Sequence, residues 1–467
     1  MVMGDVPIKT EVVVVGGGVG GYSAAFHAAD LGLEVTLVSE EPRLGGECLL
    51  RGCIPSKTLL SLCDLLHSAR EARSKGIRFG DPEIDLEKIR NWKEQVVERL
   101  AEGLDRLARD RSLEILHGRA RFAGPDRLHV HGDEEVDVSF GGAVLATGSR
   151  PTALPFADFG GSIWSSVEAL GMREIPESLL IVGGGYVGLE MGSVFASLGA
   201  KVTLVEQEDR LLPEADPDLV EPLARRVEDL FHAVHPNCSV SEMEETDDGV
   251  SVSFHGDDAP EDGSFRKVLV AVGRSPSTSD LGLEDAGVEL DEDGCVIVDQ
   301  ELRTSTKAIL AVGDVVGGAL LAHKAMREGK VAAEVLAGRP SAYDVRAVPA
   351  VVYTDPQIAW CGLSEEDAKA EGREVTVARF PWQASGRAVS MGGGAGFTKL
   401  ILDPDTERVL GMGICGPQAE ALIAEGALAM EMGAVARDLA LTIHPHPTLS
   451  ETIQEAAEGA LDRPTHS

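Results

Sequence analysis

Aromatic residues make up only 4% of this 467-residue chain. Cores with so few rings rest on aliphatic side chains and glycine, which suits α/β layers built on buried Val-rich strands. Basic residues are also short, with 42 Lys and Arg against 77 Asp and Glu and a formal net charge of −35. That balance argues against a nucleic-acid partner, since phosphate binding needs clustered basic residues. No apolar run reaches the length of a membrane span. Met1 to Thr10 carries Asp5 and no hydrophobic signal region; we expect no membrane association, no export and a cytoplasmic location. Cysteine is scarce too. Seven, an odd number and mostly isolated, suit reduced thiols with one active pair rather than a disulfide scaffold. The acidic residues are spread through the chain rather than gathered in a tail. One reading is an ordinary acidic protein. The favoured one is adaptation to high salt, where self-repulsion is screened within about 3 Å at 1 M.

What the chain does have is a thiol motif. Gly45-Gly46-Glu47-Cys48-Leu49-Leu50-Arg51-Gly52-Cys53-Ile54-Pro55-Ser56-Lys57 holds two cysteines five positions apart. An undistorted helix would separate their Cα atoms by roughly 7.5 Å along its axis, whereas a disulfide needs about 7 Å or less. Bridging therefore requires a deformed backbone, for which Gly52, Pro55 and the restricted Ile54 supply the means. A strained, accessible disulfide is the labile, catalytic kind. Two buried thiols that never meet is the other reading of this stretch alone.

The length suits three or four domains. Glu11 to Val15 reads as a buried strand, Gly16-Gly17-Gly18-Val19-Gly20-Gly21 as a glycine loop, Ser23 to Leu31 as a helix and Glu34 to Val38 as the next strand. In this context the glycines have separate tasks: Gly16 for the turn, Gly18 for close approach to a pyrophosphate, Gly21 for helix–strand packing. The helix N-terminus then faces the phosphates. Ser39 stands where an acid would meet the ribose, and Glu40 is expected to serve from one position later. Leu179 to Val182 begins a second copy, with Gly183, Gly185 and Gly188 in the loop, Lys201 to Val205 as its second strand and Glu206 at the strand end. Two such units imply two dinucleotides. A carboxylate at 206 accepts from the ribose hydroxyls of NAD and repels the 2′-phosphate of NADP. Ser61 to Arg73 and Leu86 to Arg109 show helical spacing, and Leu113 to Val136 reads as short strands. Ala143 to Pro151, Val268 to Arg274 and Ile309 to Asp314 are strands ending in turns. From Val348 the pattern changes to an antiparallel sheet with an amphipathic helix over Ala419 to Met432. Near the end, His444-Pro445-His446-Pro447-Thr448-Leu449-Ser450-Glu451 places Pro447 as a first helical residue, with His446 at the helix entrance and Glu451 just over one turn in. A carboxylate on one ring nitrogen leaves the other as a base; two surface histidines at a helix cap is the plainer reading.

Together these motifs resemble the pyridine nucleotide–disulfide oxidoreductases, in the branch that oxidises dihydrolipoyl groups, over nearly the whole chain. The runs Val352 to Trp360 and Ala384 to Ala388 and the motifs Ala146-Thr147-Gly148 and Gly313-Asp314 also carry the resemblance. It implies an α/β chain with two Rossmann-like dinucleotide-binding domains plus a C-terminal α+β dimerisation domain: 1–149 for FAD, 150–272 for NAD, 273–345 as a central domain completing the FAD site, and 346–467 as the interface of a homodimer. It implies a redox disulfide between Cys48, which exchanges with the substrate, and Cys53, which lies against the flavin. His446 and Glu451 of one subunit would complete the other's site, and Lys57 would sit near the flavin, paired with Glu190. FAD contacts are implied for Gly16, Gly18, Gly21, Glu40, Ala120, Thr147, Gly148, Asp314, Leu321, Ala322 and His323. NAD contacts are implied for Gly183, Gly185, Gly188, Glu206 and Gly273. No metal is implied. The expected activity is NAD+-linked oxidation of dihydrolipoamide or of lipoyl domains in a multienzyme complex, with a reductase for another small thiol as the alternative. The absence of cysteines after Glu451 argues against a mercuric reductase, and Glu206 argues against an NADP-linked glutathione reductase.

Overall fold

In a computed structural model, residues 8–132, 135–256, 259–462 and 465–466 are described. Most of the expected signal-free N-terminus and two positions of the 113–136 strand region lie outside them. The chain divides into two compact units: Met1–Thr58 with Asp85–Thr152 and Gly273–Asp344, and Leu59–Ile84 with Ala153–Val272 and Val345–Ser467.

The first unit is built on a parallel sheet. Ile8–Val15 lies between Val35–Ser39 and the end of Glu135–Leu145, which in turn pairs with Ile309–Ala311. Val12 to Val15 are all buried, as strands covered on both faces must be. Glu114–Gly124 pairs parallel with Val35–Ser39, then continues into an antiparallel layer with Arg127–Gly132 and Glu135–Leu145. Helix Val19–Asp30 covers one face beside Ala322–Leu336. Their contact is lined by Ala24, Ala25, Ala28, Ala332 and Ala333. Small side chains let the two helices approach closely, and a Cβ on Gly329 would strike the Gly20 carbonyl oxygen.

The second unit repeats the parallel theme with Ala233–His235, Lys201–Val205, Ser178–Val182, Lys267–Val270 and Ile163–Trp164, in that order. It also holds a five-stranded antiparallel sheet: Ala350–Val352, Ile358–Gly362, Val409–Cys415, Phe397–Leu402 and Thr376–Pro381. Ala419–Met432 and Glu451–Ala460 bury its core around Phe380, Trp382, Ile414 and Ile453.

Two helix starts in the N-terminal part differ from the expectation. The first glycine-loop helix opens at Val19 rather than Ser23, and the helix expected from Ser61 opens at Cys53 and runs to Glu71. Pro55 permits this because its missing N–H falls in the first turn, where amides have no intrahelical acceptor.

Candidate active site

The thiol motif starts against the first glycine loop. The Gly45 amide donates to the Gly17 carbonyl at 2.9 Å. Gly46 has φ +57, and a Cβ there would overlap Gly18 Cα. Glu47–Arg51 then form a single π-turn, ended by Gly52, before the helix begins at Cys53. π winding relates residue i to i+5, which is the separation of the two cysteines, so this turn is the backbone deformation that the spacing demanded. Both cysteines are thiols here, Cys48 half-buried and Cys53 exposed. The Cys48 thiol is pushed well up by its side-chain hydrogen bond with Cys53, then by burial, while the Lys57 charge pulls the other way. Burial and the nearby Cys48 also raise Tyr22 on the adjoining helix.

The first loop fits a dinucleotide. Gly16 sits at φ +112, and a Cβ on it would overlap the Ala146 carbonyl oxygen. A Cβ on Gly21 would overlap the Gly16 carbonyl oxygen. Gly18 opens the helix, and no side chain caps the first-turn amides, which leaves donors for a phosphate group. The acid is not where Glu40 was expected to supply it. Ser39 is buried at the strand end, its hydroxyl facing Gly17 and accepting from the Glu41 amide at 3.2 Å. Glu40 is exposed and ion-paired with Arg119 at 3.6 Å. The register of the second strand points residue 39, not 40, at the loop.

Behind this loop lies a network that sequence reasoning missed. Asp314 Oδ2 accepts from Ser149 Oγ at 2.5 Å, and Arg274 donates to Ser149 Oγ and to its carbonyl at 2.7 and 2.8 Å. Arg274 also reaches Glu47, at 3.4 Å, on the thiol turn itself. The Gly313 amide donates to the buried carboxylate of Glu328 at 2.7 Å, and Lys324 pairs with that carboxylate at 2.8 Å. Burial raises the Glu328 pKa despite Lys324. The i,i+4 spacing of Lys324 and Glu328 after Gly313-Asp314 was the available signal. Thr147 Oγ1 donates to the Ser277 carbonyl at 2.7 Å, and the Ser277 amide donates to the Gly148 carbonyl at 2.9 Å. Leu321, Ala322 and His323 open the helix that carries Lys324 and Glu328. Ala120 is buried in the antiparallel layer beside Val130. Gly273, expected with the NAD residues, falls in the first unit, where its carbonyl accepts from the Thr152 amide at 3.1 Å.

The second loop has the same build. Gly183 has φ +112 beneath the Ala271 carbonyl oxygen, a Cβ on Gly188 would overlap the Gly183 carbonyl oxygen, and Gly185 opens an uncapped helix. Here an acid does close the second strand. Glu206 is buried, accepting from the Gly184 amide at 2.5 Å and the Glu208 amide at 2.8 Å. Glu190 is buried on the loop's helix and accepts from the Tyr353 amide at 3.1 Å.

At the C-terminus the expected pair is made, by a different geometry. The His446–Pro447 peptide is cis, and the helix begins at Glu451 rather than at Pro447. His446 Nδ1 donates to Glu451 Oε1 at 2.8 Å, and the Thr448 amide donates to Oε2 at 2.7 Å. Burial alone would raise the Glu451 pKa, but the Thr448 amide and then His446 outweigh it and hold it below the usual carboxylate value. His446 is exposed and Nε2 is its remaining ring nitrogen. His444 behaves otherwise: its side chain is nearly covered and its nitrogens meet Glu425 at 2.8 Å and the Thr442 carbonyl at 2.9 Å.

A thiol pair whose turn is hydrogen-bonded to a dinucleotide-type glycine loop is placed to exchange electrons between sulfur and a dinucleotide, the chemistry of the dinucleotide-linked thiol oxidoreductases. Its sequence matches the pyridine nucleotide–disulphide oxidoreductase family over residues 10–329 and that family's dimerisation domain over residues 348–457. The chain belongs to this family. It is 46% identical over 454 residues to the dihydrolipoyl dehydrogenase of Vibrio parahaemolyticus, covering 97% of this chain and 95% of that one. It is 45% identical over 473 residues to the enzyme of the same name from Halobacterium salinarum, covering 100% and 99%. Among solved structures it resembles LpdA from Mycobacterium tuberculosis, with TM-score 0.89 and 27% identity over 96% of this chain and 99% of that one. It also resembles the HOCl-induced flavoprotein disulfide reductase RclA from Escherichia coli, with TM-score 0.85, 27% identity and the same coverage. No helix among the described residues is long and apolar enough to cross a membrane.

Proposed function

We propose that this chain is an FAD-dependent dihydrolipoyl dehydrogenase that oxidises dihydrolipoyl groups with NAD+ as acceptor. The Cys48–Cys53 pair, set across a π-turn anchored to the first glycine loop, is the observation that carries this reading. The relatives' names support it. In this reading residues 1–149 and 273–345 bind FAD, 150–272 bind NAD and 346–467 pair two subunits. The partners are lipoyl domains or free dihydrolipoamide, and the setting is cytoplasmic.

The oxidised enzyme carries a Cys48–Cys53 disulfide. One dihydrolipoyl thiol gives its proton to Nε2 of the partner subunit's His446, and its sulfur attacks Cys48, releasing Cys53 as thiolate. The second substrate sulfur then displaces Cys48, closing the lipoyl disulfide and leaving the protein pair as two reduced sulfurs. Glu451 accepts from Nδ1 throughout and favours the imidazolium that forms. Lys57 adds positive charge beside the thiolate. FAD, when bound, supplies the route for the electron pair to NAD+. The first loop with Thr147, Gly148, Asp314 and the 321–323 helix start holds FAD, and Glu206 selects NAD over NADP by like-charge repulsion of a 2′-phosphate.

The test is NADH-linked reduction of lipoamide set against glutathione and other small disulfides. Lipoamide should be strongly preferred, and the C48S/C53S double variant should lose that turnover while still binding FAD. Equal turnover of another disulfide would favour the alternative, a reductase for a different small thiol. Normal lipoamide turnover in the double variant would defeat the mechanism.

A further inference from the structure

The antiparallel layer of the first unit carries a cluster that the redox chemistry does not use. His129 and His131 alternate on Arg127–Gly132, and Asp137 and Glu135 are their direct cross-strand partners. Alternate residues of a strand share one face. Val130, between the histidines, points the other way into the core. The rings of His129 and His131 lie with centroids 4.4 Å apart.

The hydrogen bonds give this cluster a direction. Asp137 Oδ1 lies 2.8 Å from His129 Nδ1. A carboxylate can only accept, so without a metal both His129 nitrogens donate, Nδ1 to Asp137 and Nε2 to Glu135; a cation would replace the Nε2 proton while Asp137 keeps the one on Nδ1. His129 Nε2 and His131 Nδ1 both reach Glu135 Oε2, at 2.5 and 2.9 Å. Two imidazole nitrogens thus converge on one carboxylate oxygen, with a fourth residue, Asp137, orienting one ring from behind. Two surface pairs lack that convergence: His27 with Glu334, and His466 with Glu455, each bring one ring nitrogen to one carboxylate. Among the described residues, the other group with ligand spacing, Asp216, Asp218 and Glu365, is already filled by the Lys399 ammonium.

We propose that His129, His131 and Glu135 form a surface binding site for a borderline divalent cation of the Zn2+ type, with Asp137 positioning His129. The ligand atoms lie within 4.8 Å of one another. Two imidazole nitrogens and one carboxylate oxygen form a donor set that suits Zn2+, with water completing the coordination. Asp137, His129 and the ion form the carboxylate–histidine–metal arrangement that fixes a ligand's tautomer. Paired strands hold all the side chains at defined register, and the net charge of −35 attracts cations to the surface. The site stands apart from the proposed redox reaction and does not depend on it.

The experiment is calorimetric titration of the tag-free, FAD-loaded, full-length protein with ZnCl2. The protein is kept oxidised so that Cys48 and Cys53 are bonded to each other and do not compete. Co2+ absorption in the same preparation reports the coordination. The expected result is one site per chain, weakened at least 100-fold in H129Q/H131Q and about 10- to 100-fold in D137N, with lipoamide turnover and melting temperature unchanged. E135Q, which removes a ligand while leaving both histidines, should also weaken binding. Absence of Zn2+ binding in the unaltered protein, or equal binding in H129Q/H131Q and E135Q, would overturn the proposal.

Discussion

Gly16 and Gly183 share φ +112, Gly21 and Gly188 each press on the carbonyl of their loop's first glycine, and Gly18 and Gly185 each open an uncapped helix. The spacing to the residue closing the second strand is the same too, from Gly17 to Ser39 and from Gly184 to Glu206. There the resemblance between the loops ends. Glu206 bridges two backbone amides with a buried carboxylate, whereas Ser39 accepts from one amide with a hydroxyl. The following segments diverge as well. After Ser39 the chain runs through Glu41, paired with Arg51, into the thiol turn. After Glu206 it runs to Asp216, held by the fully buried Lys399, which also meets Asp218 and Glu365. One backbone design leads two ways: a loop backed by the Asp314–Ser149–Arg274 network and followed by the thiol turn, and a loop closed by a buried carboxylate and followed by the Lys399 ion cluster.

The largest expected effect comes from removing the proposed base and reading the thiol chemistry. His446→Gln should lower lipoamide turnover roughly 10²- to 10⁴-fold while leaving FAD content intact. Unchanged turnover would refute its role. Next in size is Lys399→Met. Removing one partner of a buried ion cluster costs about 3–5 kcal/mol, and a chemical melt measures it. The pH dependence follows from the raised pKa of Lys399, where burial opposes but Asp216, Asp218 and Glu365 prevail. A raised folded value means the contribution is complete below the unfolded value of 10.5 and is lost as pH rises through the folded one. The stability gap between parent and variant should therefore hold constant from neutral pH to about 10 and narrow only above 10.5; a gap that closes near neutrality would contradict the geometry.

Glu206→Gln is the third. Losing a charged hydrogen bond costs about 1.5–3 kcal/mol, or roughly 10- to 150-fold in KM for NAD+, with FAD content unaffected and NADP+ gaining in relative use. Ser39→Ala is the smallest, at about 0.5–1.5 kcal/mol in stability with no change in KM for NAD+. Flavin loss in Ser39→Ala as severe as the NAD+ defect of Glu206→Gln would erase the distinction between the loops.

Much of this was legible beforehand. The glycine loops, their strands, the helix over 86–109 and the thiol pair's need for a distorted backbone rest on local rules: glycine's access to positive φ, side-chain periodicity, and the rise per residue of a helix. The His446–Glu451 pairing was anticipated from spacing, although the helix starts four residues later than Pro447 suggested and the Thr448 amide also holds the carboxylate. Other features were invisible in one dimension. Ser39 rather than Glu40 faces the first loop because strand pairing sets which side chain points inward. Ser149, Arg274 and Glu47 come together from segments more than a hundred residues apart.

The amino-acid sequence by itself determined the α/β class, the two dinucleotide loops, the acid at 206 and the redox candidates, since each depends on residues within a turn or a strand of one another. Only the tertiary structure decided the π-turn that suits a pair five residues apart, the division that assigns residues 59–84 to the second unit, the burial of Lys399 among three carboxylates and the convergence of His129, His131 and Glu135. These last depend on register and packing between distant segments, where the partner of a side chain is set by the fold around it and not by its neighbours in the chain.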